Sequence, residues 1–424
     1  MKKILKNLVA SILGWQIIRL RRRHPMRVIA VTGSIGKTST KLAIASVLSQ
    51  GFTVRHQTGN YNDLVSVPLV FFGDRMPNIW NPVAWSWIFL KNEIKIRRSY
   101  PYEIVVLELG TDGPGQIEQF AKYLQVDIGV LTSIAPEHMQ FFAGLDAVAE
   151  EELKITGFAK KTLINKDLVD AKYLKDLRSK VMTYAAAQPA DFRLGEVKFN
   201  GDEAEFTLTS GGKKILDSGH QKITEPQLYS ICAAAAVAHA MGLSPEKIDA
   251  GIRGIPAVSG RMQHLDGENG SVIIDDTYNA SPQATQAALD TLYRIESKHK
   301  IAVLGNMNEL GHYSRPEHIA VGKYCDPKQL DLVVTIGPDA NKYLAPAAEQ
   351  GGNKVKTFND PYSAGQFIKP LLNAGTVVLV KGSQNKVFAE ETVKLLLENP
   401  SDSAKLVRQS PYWLKIKRKQ FSPR

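Results

Sequence analysis

Residues 29–41, IAVTGSIGKTSTK, constrain this chain more than any other stretch. A β-rich run from Val28 to Val31 enters a Gly-containing turn, and Lys37-Thr38 opens a helical pattern running to about Leu48. Such a turn points backbone N–H groups and a helix N-terminus at one spot, which suits phosphate. Lys37 has the reach for terminal phosphates, and the Thr38 hydroxyl suits Mg²⁺. The common phosphate-loop pattern has a further Gly where this chain has Val31. What stands here is the shorter T-G-x-x-G-K-[ST]-[ST] form. A chance Gly-Lys-Thr would not need strand, turn and helix in this order. The segment reads as a nucleoside triphosphate site.

A chain of 424 residues predicts two or three domains, each with its own core. Hydrophobic content of 44% and charged content of 22% are ordinary for a globular protein. Cys232 and Cys325 lie far apart without metal-ligand spacing, and Cys232 sits in an Ala-rich helical run. They predict a reducing compartment and no disulfide framework. The net charge of +11 calls for an acidic partner: a phosphorylated substrate, nucleic acid or an anionic membrane. Nucleic acid is disfavoured, because no nucleic-acid-binding module lies between the basic ends.

Ile4 to Leu20 is apolar but broken by Lys6, Asn7, Ser11, Gln16 and Arg19, too interrupted for a membrane span. Ile4, Leu5, Leu8, Ile12 and Trp15 recur at helical spacing, so residues 1–25 predict an amphipathic helix with basic ends. It suits an anionic membrane surface or its own domain equally. Residues 78–98 pose the same choice: Trp80, Trp85, Trp87 and Phe89 precede Lys91, Lys95, Arg97 and Arg98. There a helix packed on the domain is the favoured reading, with a membrane interface as the alternative.

The fold class is α/β. Strands over 28–32, 103–109, 128–133 and 161–165 alternate with helices over 37–48, 114–123, 145–157 and 227–241, as in a mostly parallel sheet. This central phosphate-loop ATPase domain covers 26–257, with residues 192–217 as a small antiparallel appendage and Gly254-Ile255-Pro256 as a linker. A smaller Rossmann-like α/β domain follows over 258–400, with strands at 271–275, 300–304, 331–336 and 376–380. The basic tail, 401–424, reads as loosely ordered.

After the phosphate loop come GNYND (59–63), VLELG (106–110), SIAPEHMQFF (133–142), DDTYNASP (275–282) and LGNMNELG (304–311). In this order the chain, over roughly residues 26–400, resembles the Mur ligase family. GNYND before Val67-Pro68, and LGNMNELG before Ser314 and His318, resemble the branch that adds D-alanyl-D-alanine. The resemblance implies an ATP- and Mg²⁺-dependent ligase of peptidoglycan synthesis. Its substrates would be a UDP-MurNAc-tripeptide carboxylate and D-alanyl-D-alanine, joined through an acyl phosphate. The expected location is the cytoplasm, with peripheral contact at the inner face of the membrane as a further expectation.

The resemblance also assigns residues. Gly33, Ser34, Gly36, Lys37, Thr38 and Ser39 match the phosphate loop. Glu108 matches a Mg²⁺-binding glutamate and His138 the histidine of a second Mg²⁺. Tyr278 and Asn279 match the adenine segment, and Arg261 a Gly-Arg near the nucleotide. Asn60 and Asn62 match a loop near substrate and metal. Glu309, Ser314, His318 and Lys381 match the cleft that receives the dipeptide.

Some positions depart from the family pattern. Glu152 stands where a carbamylated lysine is usual, with Lys154 two residues later. A glutamate supplies an anionic oxygen without modification, at shorter reach. Asn306 replaces the aspartate that meets the ribose, Asp63 replaces an asparagine, and Gln384 an arginine. About 25 residues precede the first strand, too few for the family's separate UDP-gripping domain. Two other readings stay open: a superfamily ligase adding another amino acid or peptide, a folate-like carboxylate acceptor included, and a non-catalytic nucleotide-binding homologue.

Overall fold

The computed structural model describes residues 2–421 except 58, 60, 176, 178, 201, 202, 223 and 224. The chain divides into two compact units: Met1–Ala135 with Phe141–Pro256, and Pro136–Gln140 with Ala257–Arg424. The short segment carrying His138 thus groups with the later residues, although its flanks belong to the first unit.

The first unit begins with α1 (Lys2–Arg23), β1 (Arg27–Thr32), α2 (Lys37–Leu48), β2 (Val54–Arg55), α3 (Ser66–Phe72) and α4 (Pro82–Arg97). It continues with β3 (Ile104–Glu108), α5 (Ile117–Phe120), β4 (Val126–Leu131), α6 (Leu145–Leu153), β5 (Ala159–Asn165) and β6 (Lys180–Ala185). β7 (Phe192–Asn200), β8 (Glu203–Ser210), β9 (Lys213–Lys222), α7 (Glu225–Ala240) and α8 (Pro245–Arg253) complete it. One sheet runs in the order β2-β3-β1-β4-β5-β6-β7-β8-β9. It is parallel from β2 to β7 and antiparallel from β7 to β9.

A strand buried on both faces reads as a continuous apolar run, and β1 does. Its alternate residues serve different cores. Ile29 and Val31 join α2 and α7, whereas Val28 and Ala30 join α1, α3 and Phe120. The run Ala233–Ala236 in α7 offers only methyl groups, so α2 packs close, and Thr40 meets Ser230 at 3.0 Å. Cys232 lies in that core, where burial pushes its thiol up to about 12.

The antiparallel strands over 192–222 differ from the appendage expected there. They extend the main sheet, and Phe192, Leu194, Phe206 and Leu208 enter the same core as β1. Helix α5 is also shorter than the expected 114–123, because Gly113, Pro114 and Gly115 keep the chain in a turn until Ile117. Glu151 closes that turn by accepting from the N–H groups of Gly115, Gln116 and Ile117, each at 2.7 Å.

Helix α1 buries Val9, Leu13, Ile17 and Leu20 on its own unit. Ile4, Leu8 and Trp15, which helical spacing placed on the apolar stripe, instead face solvent. Helix α4 lies beside it: the Gln16 amide donates to Phe89 O and accepts from Asn92, and Arg19 pairs with Glu93 at 2.6 Å. Among the described residues no helix is long and apolar enough to cross a membrane.

The second unit comprises β10 (Gln263–Gly267), β11 (Ser271–Asp276), α9 (Pro282–Arg294), β12 (His299–Gly305), α10 (Ser314–Tyr324) and β13 (Leu332–Ile336). Then follow α11 (Ala345–Gln350), β14 (Val355–Phe358), α12 (Pro361–Ile368), β15 (Thr376–Lys381), α13 (Glu390–Leu396) and α14 (Pro411–Phe421). The sheet order is β10-β11-β15-β12-β13-β14, with β10 antiparallel and the rest parallel.

The expected loose tail is folded over its described residues. Lys417, in α14, is buried and donates to Glu390 at 2.7 Å, Glu391 at 2.6 Å and Arg408 O at 2.9 Å. A basic sequence looks solvated until two buried carboxylates, 26 residues earlier in the case of Glu391, are seen to need it. Removing one member of a buried ion cluster strands the others, which costs about 3–5 kcal/mol. Lys417→Met is therefore expected to lower the stability of this unit by about 3 kcal/mol, read as a shift in urea midpoint. An unchanged midpoint would show α14 to be a dispensable tail.

Candidate active site

In open parallel sheets ligands collect at the carboxyl ends of strands where the order reverses. In the first unit β1 lies between β3 and β4, and all three run toward the phosphate loop. Gly33 (φ 124°) and Gly36 (φ 86°) take backbone conformations that disfavour side chains. A Cβ on Gly33 would lie 2.3 Å from Thr132 Oγ1, so the loop is pressed against the chain leaving β4. Ser34 fixes that contact: its Oγ donates to Ala135 O at 3.0 Å and accepts from Ala135 N at 2.9 Å. The Ile35 N–H donates to Ser133 Oγ at 2.8 Å. Lys37 folds back on the loop, donating to the carbonyls of Gly33 and Ser34. Ser39 lies in the first turn of α2, half-buried.

Glu108 ends β3 and is almost wholly buried. The Thr38 hydroxyl donates to its Oε2 at 3.0 Å, the Lys41 ammonium lies 3.1 Å from the same oxygen, and Asn62 donates to Oε1 at 3.3 Å. Burial works to raise this carboxyl, but Lys41, Lys37 and the hydrogen bonds outweigh it and hold it below the ordinary value. An ammonium thus already balances an ionised carboxylate beside a hydroxyl, and the oxygen donors suit a hard cation. Among the described residues no group of three His, Cys, Asp or Glu side chains surrounds one point. The donor set therefore fits Mg²⁺ in its usual manner, with one carboxylate, one hydroxyl, water and substrate phosphate oxygens.

Glu152 is buried in α6, and its Oε2 accepts from the Thr32 hydroxyl and, at 2.9 Å, from the Gly33 N–H. Lys154 instead points to the surface, 3.4 Å from Glu150 and 4.0 Å from Glu118. Asp63 accepts from the N–H groups of Val65 and Ser66 at 2.8 and 2.9 Å, closing the turn that leads into α3. Asn60 lies outside the described residues.

In the second unit the ends of β11, β12 and β15 make another convergence. Lys381 is buried, bonded to Asp276 and, at 3.0 Å, to Asn279 O. The Arg261 guanidinium stacks 4.2 Å above the Tyr278 ring. Asn306 Oδ1 accepts from Ala340 N at 2.8 Å, tying the loop after β12 to the turn after β13. His318 is fully buried. Its Nδ1 donates to Ser314 O at 2.8 Å and its Nε2 accepts from Met307 N at 3.1 Å, so it holds the loop without facing a ligand. Burial lowers its pKa, against Ser314 and Asp339. The Ser314 hydroxyl donates to Asp339 at 2.5 Å. His138 Nδ1 lies 2.7 Å from Glu309 Oε2; this hydrogen bond, against burial and with the pair's attraction, lowers the Glu309 carboxyl.

The comparisons settle the family. Residues 31–238 match the Mur ligase middle domain, and residues 260–384 match the Mur ligase glutamate ligase domain. The chain belongs to the Mur ligase family. The UDP-N-acetylmuramoyl-tripeptide–D-alanyl-D-alanine ligase of Bacillus subtilis (strain 168) is 29% identical over 379 residues, 88% of this chain and 76% of that one. The Escherichia coli (strain K12) enzyme of the same name is 26% identical over 393 residues, 90% of this chain and 79% of its own. Two solved structures share the fold. MurF from Acinetobacter baumannii has a TM-score of 0.76 at 24% identity, covering 92% of this chain and 80% of that one. MurF ligase from Thermotoga maritima in complex with ADP has a TM-score of 0.74 at 23% identity, covering 91% and 83%.

Sequence reasoning missed three structural participants of this Mur ligase. Lys41 lies one turn beyond the phosphate-loop lysine on α2, and its spacing from Lys37 was the available signal. Glu151, which closes the turn before α5, carries no motif of its own. Arg408 donates to Thr277 O at 2.5 Å and Tyr278 O at 3.0 Å while pairing with Glu390 at 2.7 Å, and no local pattern announced it.

Asp275 gives a pH test. It is buried, with Oδ1 accepting from Thr277 and Oδ2 without a partner. Burial, against the Thr277 hydrogen bonds, raises it from 3.8 to about 6. A raised folded-state pKa contributes stability that is lost as pH rises from about 4 through about 6, here about 3 kcal/mol. Asp275→Asn cannot ionise, so its stability relative to wild type should climb across that window and level off above pH 7. Parallel denaturation curves at every pH would refute the assignment.

Proposed function

We propose that this chain is an ATP-dependent amide ligase of peptidoglycan precursor synthesis. It joins the terminal carboxylate of UDP-MurNAc-tripeptide to the amine of D-alanyl-D-alanine, in the cytoplasm. The observation that carries this reading is the cluster of phosphate loop, Thr38 and ionised Glu108 in a chain matched by both Mur ligase domains. The names of the B. subtilis and E. coli relatives, each matched over most of this chain, favour the D-alanyl-D-alanine substrate over a folate-like one.

A carboxylate does not acylate an amine unaided, because its oxygen leaves poorly. Transfer of the γ-phosphoryl group from ATP gives an acyl phosphate and ADP. The free amine attacks the acyl carbon, phosphate departs, and the amine loses a proton. Most of the work is positioning and charge balance around phosphate oxygens. The N–H groups from Gly36 to Ser39, at the start of α2, receive those oxygens, since those of Gly33, Ser34 and Ile35 already bond Glu152 and Ser133, and Lys37 leaves its carbonyl partners to join them. Thr38 and Glu108 would hold Mg²⁺, which screens phosphate charge when bound. Asn62 and Lys41 orient Glu108. Glu309 fixes one ring nitrogen of His138, the arrangement by which a carboxylate commonly presents the other nitrogen to a metal. Tyr278, Asn279 and Arg261 form the adenine side, with Asn306 near the ribose. Asn60 serves the substrate loop. Ser314, His318 and Lys381 shape the dipeptide end by holding loops.

Lys37→Ala is expected to cut ADP release by several orders of magnitude with UDP-MurNAc-tripeptide, ATP and D-alanyl-D-alanine supplied. Near-normal ligation, with the amide product read by mass, would overturn the phosphate-loop assignment.

Glu152 is proposed as a built-in carboxylate in place of a carbamylated lysine. Its buried position against Gly33 supports this, as does the outward course of Lys154. Activity should then be indifferent to bicarbonate in CO₂-depleted buffer, and Glu152→Gln should weaken Mg²⁺-dependent turnover. Recovery of activity on adding bicarbonate would instead indicate a modified lysine.

A further inference from the structure

Helices α1 and α4 cover their sheet with one face and leave the other uncovered. On α1, Ile4, Leu8 and Trp15 are 74%, 57% and 55% exposed, at spacings of four and seven. On α4, Val83, Trp87, Leu90 and Ile94 recur at spacings of four, three and four, all exposed. These are one-face spacings on a helix. With Trp80 they make up eight of the fifteen large apolar side chains that stand exposed among the described residues. The polar contacts Gln16–Asn92 and Arg19–Glu93 lock the two helices together, so the stripes belong to adjoining elements of one unit. Scattered apolar residues on a surface need no explanation, but a concentration of this kind does.

The charge around the stripes identifies the occupant. Helix α1 carries seven basic residues and no acidic one. At the C-terminal ends of both helices Arg19, Arg22, Arg23 and Arg97, with Ile96, line a cleft of about 400 Å³. Glu93 balances Arg19 and lies 3.8 Å from Arg97, while Arg22 and Arg23 stand exposed. Three of the five tryptophans, Trp15, Trp80 and Trp87, are exposed here, and Arg19 stacks 4.4 Å over Trp15. Tryptophan favours the level of lipid headgroups, aliphatic side chains the acyl boundary, and arginine the phosphates. A second copy of the chain would bring the same cations face to face, which disfavours self-association.

We propose that the α1–α4 face docks on an anionic lipid bilayer, with Leu8, Trp87 and Leu90 entering the interface and the arginine cleft receiving headgroup phosphates. The chain is thereby a peripheral membrane protein, held by two shallow stripes. This inference stands apart from the ligase reading.

Co-sedimentation of the full chain with phosphatidylglycerol-containing vesicles and with pure phosphatidylcholine vesicles tests it. Binding should require the anionic lipid and weaken with salt. It should fall at least about tenfold in the double variant Leu8→Gln/Leu90→Gln and in Arg22→Gln/Arg23→Gln. Both pairs are exposed and remote from the phosphate loop in sequence, so ADP release in vesicle-free solution should be unchanged, showing that the variants fold. No binding at low salt, equal binding to both vesicle types, or full binding by the folded variants would each overturn the proposal. So would a soluble dimer that the apolar pair abolishes, which would make the face an interface between copies.

Discussion

A buried carboxylate is tolerated only where charge and hydrogen bonds answer it, and Glu108 sets this demand for the first unit. It ends β3, so β3 must lie beside β1 for the phosphate loop to reach it. It takes a hydroxyl and an ammonium from successive turns of α2, so α2 must start at Lys37 and run back along the sheet. It takes an amide from Asn62, which fixes the loop before α3. Strand order, helix start and loop course converge on one charged group. The Ala-rich α7 and the glycine of α8 permit this by letting α2 settle close: a Cβ on Gly251 would lie 2.5 Å from Val47 Cα.

The second unit solves a like problem with several charges. Asp276, Glu390 and Glu391 are answered by Lys381, Arg408 and Lys417, drawn from a strand end, a loop and the last described helix. Lys381 and Arg408 also bind the carbonyls of Thr277, Tyr278 and Asn279. The same cations that neutralise buried carboxylates thus fix the course of the DDTYN segment. Here charge balance and shape are one arrangement.

The sequence made the fold readable where one element explains itself. β1, the phosphate loop and the parallel strands of both units follow from local apolar runs and glycine spacing. Legibility failed where a partner lies far away. Residues 192–222 look like an isolated meander because only Tyr184 and Ala185 of β6 pair with it. The segment after residue 400 looks solvated because it is polar and basic, and the buried carboxylates that hold it, Glu390 and Glu391, lie outside it in sequence. On α1 the stripe at Ile4, Leu8 and Trp15 is as regular as the one at Val9, Leu13, Ile17 and Leu20. Periodicity finds a face but does not say which face is inward. At the site, Lys37, Thr38 and Glu108 were readable by type and position, whereas Lys41 and Arg408 were visible only through what they neutralise.

The clamp of Arg408 on Thr277 and Tyr278 also bears on synthesis. The ribosome makes the chain from its N-terminus, so the phosphate loop and Glu108 emerge hundreds of residues before Arg408 and Lys417. The first unit's carboxyl-end cluster is complete within its own span and is free to form early. The DDTYN segment of the second unit waits for Arg408, and Glu390 waits nine residues more for its second cation, Lys417 in α14. A nascent chain therefore holds a finished phosphate loop long before it holds a settled DDTYN segment.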